Sequence, residues 1–148
     1  MESTTPARVL VVAHRTASTV GLGDAIRRRA SEGPARFTLL VPRTAHGLHR
    51  LMDPEDTDES EARAILDRAL PLLSDAAGST VDGLIGDPSP LTAIEDTLNR
   101  ERFDEIILST LPARISRWLH LDLPSKVGGL GVPVTTVTAA EEPAAAVG

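Results

Sequence analysis

The sequence predicts an α/β fold in which one doubly wound, five-stranded parallel sheet carries helices on both faces. Short unbroken apolar runs, such as residues 9–13 and 106–108, are typical of strands buried on both faces of a parallel sheet. Segments with helical spacing of apolar residues separate these runs, so strands and helices alternate along the chain. The alternation predicts a single domain over residues 8–138, with flexible ends at residues 1–7 and 139–148.

Each element has its own signals in the sequence. The predicted strands are residues 8–13, 37–41, 81–85, 106–108 and 134–137. Residues at helical spacing mark the first three helices. They are Leu22, Ala25, Ile26, Arg29 and Ala30 in the first, Ala62, Ile65, Leu66, Ala69, Leu72, Leu73 and Ala76 in the second, and Leu91, Ile94 and Leu98 in the third. Gly33 and Gly78 end the first two helices. Roughly two dozen residues connect the fourth strand to the fifth, enough for a right-handed crossover helix.

The composition narrows the possible functions. A formal net charge of −6 argues against nucleic acid binding, which uses a basic face, and 2% aromatic residues offer no platform for single-stranded bases. The absence of cysteine excludes disulfides, thiol chemistry and cysteine-ligated metals. No apolar run is long enough to cross a membrane, and the N-terminus lacks the features of a signal peptide. We therefore expect a cytoplasmic protein with no nucleic acid or membrane partner.

The turn Gly86-Asp87-Pro88, followed by a helix and then by DEIIL at residues 104–108, resembles the universal stress protein family. The VLVVA run at residues 9–13 and the element order agree with that family, and the resemblance covers roughly residues 8–137. It implies a Rossmann-like sheet of the adenine nucleotide α-hydrolase-like type, with strand order 3-2-1-4-5. It also implies a stress-response protein that forms a homodimer through its last strand, residues Val134, Thr135, Thr136 and Val137.

The family's nucleotide-binding signatures do not match this chain. ATP-binding members carry Gly-x2-Gly-x9-Gly-(Ser/Thr) after the fourth strand, and here the three glycine places hold Ser109, Pro112 and Asp122. The Ser/Thr place holds Leu123, and the family's usual Asp-Gly-Ser in the first loop reads His14-Arg15-Thr16. The resemblance therefore implies the fold without the family's usual mode of ATP binding. ATP or another adenine nucleotide remains a candidate cofactor that would need other contacts.

Arginines follow the strands at the edge of the sheet where open α/β folds bind ligands. Arg15 follows the first strand, Arg43 the second, and Arg114 and Arg117 the fourth. The planar guanidinium group suits a phosphate or carboxylate, so these residues predict an anion site. The alternative is that the loops are simply solvated and their arginines pair with nearby carboxylates. The candidate ligand-binding residues are Ala13, His14, Arg15, Thr16, Val41, Arg43, Ser109, Thr110, Arg114 and Arg117.

Three other features have two readings each. Ser109 and Thr110 could donate to a phosphate oxygen, but we expect them to bond to the backbone at the strand end. Trp118 packs on the sheet or anchors an interface, and core packing is the expectation. His46 and His49 have the spacing of zinc ligands on a helix, but two imidazoles in a polar loop make a weak donor set, and we expect no metal site.

No nucleophile in a defined turn, Walker motif or metal cluster is apparent in the sequence. The leading hypothesis is therefore a non-catalytic protein of the stress response that binds a small ligand or acts as a regulator. The alternatives are an enzyme acting on a phosphorylated small molecule at the arginine-lined cleft, and a pure protein-interaction module.

Overall fold

The structure is a computed structural model and describes residues 5–44 and 56–139. The strands are β1 (Ala7–Val12), β2 (Ala35–Pro42), β3 (Asp82–Gly86), β4 (Glu105–Thr110) and β5 (Val134–Thr138). The helices in the described ranges are α1 (Val20–Ser31), α2 (Asp56–Ala77), α3 (Pro90–Arg100), α4 (Arg117–His120) and α5 (Leu123–Gly128). Every strand pair is parallel, and the sheet order is β3-β2-β1-β4-β5, which confirms the predicted fold and order.

β1 lies at the centre of the sheet, and its side chains alternate between two hydrophobic cores. Val9 and Val11 face one core, and Leu10 and Val12 face the other, because successive side chains of a strand point to opposite faces. All four are fully buried. The part of a strand that is covered on both faces needs apolar residues at every position, which is why residues 9–12 of β1 form a continuous apolar run.

The two cores are closed by different helices. On the first face, the buried residues of α1 and α2 that pack on the sheet are Leu22, Ile26, Ala62, Leu66, Ala69, Leu73 and Ala76. On the second face, the buried residues of α3 and α5 are Ala93, Ile94, Leu123 and Val127. None of the helices in the described ranges has the length and hydropathy needed to cross a membrane.

Two details differ from the sequence-based expectations. The spacing places Leu72 on the inner face of its helix, but Leu72 is 53% exposed, because the buried stripe of α2 runs through Ala69 and Leu73 and leaves Leu72 one residue off its edge. The crossover between β4 and β5 contains two short helices, α4 and α5. Asp122 separates them in the left-handed conformation (φ 59°), and Pro124 stands at the start of α5.

Candidate functional site

A cleft of about 560 Å³ opens at the carboxyl ends of the strands and is called here the strand-end cleft. The strand order reverses between β1 and β4, so the segments that follow these two strands lead away in opposite directions and leave a gap between them. The segments that line the cleft are residues 14–16 after β1, 42–44 at the end of β2, 88–90 at the start of α3, 109–111 at the end of β4, and 115–118 with residue 121.

Positive charge dominates the polar part of the cleft. Arg15, Arg43 and Arg117, called here the cleft arginines, come from three separate segments and line it together. None of the described residues that line the cleft is Asp or Glu, although the chain has 21 acidic residues against 15 Lys and Arg. The cleft is thus a cationic site on an acidic protein, and this favours an anionic ligand.

The hydroxyl groups of the cleft are held by hydrogen bonds within the fold. Thr16 Oγ1 and Ser109 Oγ are 2.6 Å apart, and both side chains are buried. Thr110 Oγ1 lies 3.4 Å from Thr138 Oγ1 on β5. Ser109 and Thr110 therefore bond to other side chains rather than to the strand-end backbone that we expected. The Thr16–Ser109 bond ties the loop after β1 to the end of β4 across the floor of the cleft.

His14 lies half-buried at the edge of the cleft, with Nε2 2.9 Å from Thr44 Oγ1. Burial lowers the pKa of His14 from its usual value; Glu61 opposes this effect, and Arg15 adds to it. His14 is therefore mainly neutral at pH 7, and at that pH the cationic character of the cleft comes from its arginines.

Part of the cleft lining is apolar. Leu111, Ile115, Trp118 and Leu121 form it, and together they are called here the apolar wall. Trp118 is partly buried and also packs against the second hydrophobic core, so the expected core packing holds, and the same residue contributes to the cleft. Ile115 and Leu121 are 56% and 55% exposed.

The Gly86-Asp87-Pro88 turn builds the side of the cleft formed by the start of α3. A Cβ atom at Gly86 would lie 2.8 Å from Ala93 Cβ and 3.0 Å from Leu40 Cδ1, so only glycine allows α3 to pack this closely on the sheet. Asp87 Oδ1 accepts a hydrogen bond from Ser89 N at 2.9 Å, and Ser89 caps α3. These contacts give the motif a structural role in placing residues 88–90 at the cleft.

The cleft brings together seven of the ten candidate ligand-binding residues. These are His14, Arg15, Thr16, Arg43, Ser109, Thr110 and Arg117. Ala13 and Val41 are completely buried beneath the cleft lining, and Arg114 is exposed outside that lining. The candidate residues chosen from the sequence leave out Thr44, Ser89 and Ser116 as well as the aliphatic members of the apolar wall. The Gly-Asp-Pro turn pointed toward Ser89, and the polar residues that follow the fourth strand pointed toward Ser116, but no pattern marked Thr44 or the aliphatic residues as part of a cleft.

The remaining site predictions fall partly outside the described residues. His46 and His49 lie between the two described ranges, so the structure gives no geometry for them. Within residues 5–44 and 56–139, no three His, Asp or Glu side chains gather in a way that could hold a metal ion. Asp122, which occupies a glycine place of the family motif, is exposed and does not line the cleft.

Comparison with known proteins gives a likeness in structure alone. No protein-family model and no curated protein matches the sequence. Among solved structures, a universal stress protein from Archaeoglobus fulgidus is similar with a TM-score of 0.62 and 16% identity, over 88% of this chain and 93% of that chain. A universal stress protein in complex with cAMP has a TM-score of 0.59 and 14% identity, over 90% of this chain and 98% of its own. A universal stress protein family protein from Arabidopsis thaliana with AMP bound has a TM-score of 0.56 and 15% identity, over 91% of this chain and 93% of that chain.

These likenesses show the fold. The chain has the Rossmann-like, adenine nucleotide α-hydrolase-like architecture of universal stress proteins, as its resemblance to that family implied. At 14–16% identity the comparison concerns the backbone, and the chemistry of the cleft has to be argued from this chain's own side chains.

Proposed function

We propose that this protein is a universal stress protein-like domain that binds a small phosphate-bearing ligand in the strand-end cleft and does not transform it chemically. Its role on this proposal is regulatory, within the stress response of the cytoplasm. The observation that carries the proposal is the set of three cleft arginines in a cleft whose described lining contains no carboxylate.

The arrangement of the arginines supports a phosphate in particular. Arg15, Arg43 and Arg117 approach from the segments after β1, β2 and β4, so they can surround a group that has several acceptor oxygens. Each guanidinium fork donates parallel hydrogen bonds to two oxygens of a phosphate. Such contacts are charge-assisted and partly open to solvent, so added salt should weaken them.

Adenine nucleotides are the first phosphate compounds to test, because similar structures contain cAMP, dAMP and AMP. In this chain Pro112 lacks the amide hydrogen that a glycine loop would offer to phosphate. Binding then depends on arginine side chains, and we expect it to be weaker than binding by a glycine loop. We also expect the purified protein to carry no stoichiometric bound compound that absorbs near 260 nm. If denaturation released such a compound, this part of the proposal would be overturned.

The test of the proposal is a titration of AMP and inorganic phosphate at low and high salt, followed by calorimetry. Replacing Arg117 or Arg15 by Gln should weaken binding by roughly ten-fold or more, since a hydrogen bond to a charged group contributes about 1.5–3 kcal/mol. Arg68→Gln is the matched control, because it removes the same charge from an exposed position on α2 outside the cleft. Equal weakening in the control, or no binding by the wild type at low salt, would contradict the proposal.

One contact favours a second candidate function, an enzyme acting on a phosphorylated small molecule. His14 Nε2 lies 2.9 Å from Thr44 Oγ1, and an imidazole beside a hydroxyl is the minimal arrangement for nucleophilic catalysis. Hydrolysis of phosphate esters by the wild type that Thr44→Val abolishes would establish the enzyme. The binding protein that we propose shows no turnover in either form.

We also propose that the protein is a homodimer that pairs through β5. β5 is the last strand of the sheet, beyond β4, and it exposes Thr135 and Thr136. A strand in this position presents backbone donors and acceptors that a second copy can satisfy.

A further inference from the structure

The strand-end cleft has two walls of different chemistry, and we propose that its ligand has two matching halves. The ligand that we infer is an amphiphilic phosphate monoester, with its phosphate on the cleft arginines and an apolar chain along the apolar wall. This inference rests on the proposed function, because it takes the phosphate site as given and names the rest of the molecule.

The first argument is the exposure of the apolar wall. Among the described residues, the large hydrophobic side chains that are most exposed are Val20, Leu72, Ile115 and Leu121. Ile115 and Leu121 both line the cleft beside Trp118. Single exposed apolar residues are common, but a group of them around a concave site is typical of ligand binding.

The local backbone holds this group at the cleft. Ile115 N donates to Pro112 O at 2.9 Å, closing a turn just before α4. Ser116 caps α4, and Asp122 in the left-handed conformation ends the segment. Leu123, the next apolar residue, then enters the second core. The chain thus buries Leu123 directly after this segment and leaves Ile115 and Leu121 at the cleft.

The second argument is that hydrogen bonds within the fold already use the hydroxyl groups of the cleft. Thr16 bonds Ser109, Thr44 bonds His14, Thr110 bonds Thr138, and Ser89 and Ser116 cap helices. A sugar or a nucleobase needs polar partners for its own edges, and these hydroxyls have only part of their capacity left. An apolar chain needs no such partner.

The third argument is the contact between the two walls. Arg117 and Trp118 are consecutive residues of α4 and both line the cleft, so the cationic and the apolar parts of the lining meet at α4. An anion bound to Arg117 therefore places whatever it carries close to Trp118, Ile115 and Leu121. Charge and apolar surface are continuous, as an amphiphile requires.

Trp118 makes the proposal directly measurable, because it is the chain's single Trp and the chain has no Tyr. We would follow its fluorescence, with calorimetry in parallel, during titration with octyl phosphate below its micelle-forming concentration. Inorganic phosphate, glycerol phosphate and AMP test the head group, and octyl glucoside tests the chain without the charge. We expect octyl phosphate to bind at least about ten-fold more tightly than inorganic phosphate or glycerol phosphate, since each buried methylene adds favourable transfer free energy.

Variants of the exposed leucines provide the matched comparison. Leu121→Ser should lower the ratio of octyl phosphate affinity to inorganic phosphate affinity several-fold. Leu72→Ser should keep the wild-type ratio, because Leu72 is almost equally exposed (53% against 55%) but lies on α2 outside the cleft. Arg117→Gln should weaken both ligands.

The outcomes separate this inference from the proposed function. Phosphate binding with no gain from the octyl chain would overturn the amphiphile and leave the phosphate site intact. AMP binding at least as tightly as octyl phosphate would assign the apolar wall to a nucleobase and would also overturn it. If octyl glucoside bound but no phosphate compound did, both the amphiphile inference and the proposed phosphate-binding function would be overturned.

Discussion

At the residue scale, His14 couples the fold to pH. Burial is the main cause of the lowered pKa of His14 in the folded protein. In the unfolded chain the pKa of this imidazole is about 6.5, so as the pH falls the imidazole becomes protonated in the unfolded chain before it does so in the folded protein. The unfolded state then binds more protons, and the free energy of unfolding rises with pH through this window. The stability that the neutral His14 contributes is therefore present at neutral pH, and it is lost as the pH falls below the pKa of this residue in the unfolded chain.

This effect predicts the behaviour of His14→Gln. The free energy of unfolding of the wild type should fall on acidification from about pH 7 to about pH 5, and the variant should show a smaller fall, because glutamine does not titrate. Urea unfolding across this range measures the difference. His120→Gln, at an exposed position on α4, is the control. Parallel curves for His14→Gln and the wild type would contradict the prediction.

Individual residues show which parts of the site could be predicted from the sequence and which could not. Arg15 and Arg43 could be assigned because each closely follows an apolar strand, and strand ends of a parallel sheet meet at one edge. Ile115 and Leu121 could not, because their place depends on the turn at Pro112 and on the left-handed conformation of Asp122. Apolar residues in such a segment look the same in sequence whether they enter the core or face a cleft.

At the element scale, the strands were predictable and the crossover was not. β1 and β4 are covered by helices on both faces, so their central residues, 9–12 and 106–108, form unbroken apolar runs that are typical of buried strands. The length of the connection between β4 and β5 suggested one crossover helix, but the structure has α4 and α5 there, and α4 has only 4 residues. Helices this short are placed by caps and by packing against the sheet, which a periodic pattern does not reveal.

Packing of β4 on the sheet gives a direct test of the fold. Ile107 is 4% exposed, pairs with Val11 in register, and belongs to the first core. Ile107→Ala should lower the free energy of unfolding by about 2–5 kcal/mol, through lost burial and the cavity left behind. Leu72→Ala, at an exposed position on α2, should cost less than about 1 kcal/mol. A similarly small loss at Ile107 would mean that β4 is misplaced.

The contact between α3 and the sheet can be tested through Gly86. A methyl group at this position would approach Ala93 Cβ to 2.8 Å, so Gly86→Ala should destabilise the protein by roughly 1–3 kcal/mol through overpacking. Gly23→Ala on α1 is the matched control, because a methyl group there would have no neighbouring atom within 4 Å. Alanine favours helix over glycine, so the control should stabilise by up to about 1 kcal/mol. Destabilisation of equal size in both variants would refute the close-packing argument.

At the scale of the whole molecule, charge is unevenly distributed. The chain carries a formal net charge of −6, yet the described lining of the strand-end cleft has arginines and no carboxylate. A local cationic site on an acidic protein attracts small anions, while the surrounding negative charge discourages long polyanions such as nucleic acids. The same asymmetry makes the affinity for phosphate compounds dependent on ionic strength.

Assembly through β5 depends on which backbone groups face outward. Ile106 N donates to Pro133 O, and Ala139 N donates to Thr110 O, so residues 133, 135, 137 and 139 turn their backbone groups toward β4. In a parallel pair the intervening residues point the other way, and the amide of Thr136 therefore faces the outer edge of the sheet.

Thr136→Pro should consequently break the proposed homodimer and leave the monomer folded, because it removes a donor that β4 does not use. Thr136→Val keeps the amide and should stay dimeric, whereas Thr135→Pro removes a bond to β4 and should destabilise the fold itself. Light scattering at about micromolar concentration measures the mass, and circular dichroism reports folding. A monomeric wild type would contradict the assembly, and a dimeric Thr136→Pro variant would place the interface elsewhere than β5.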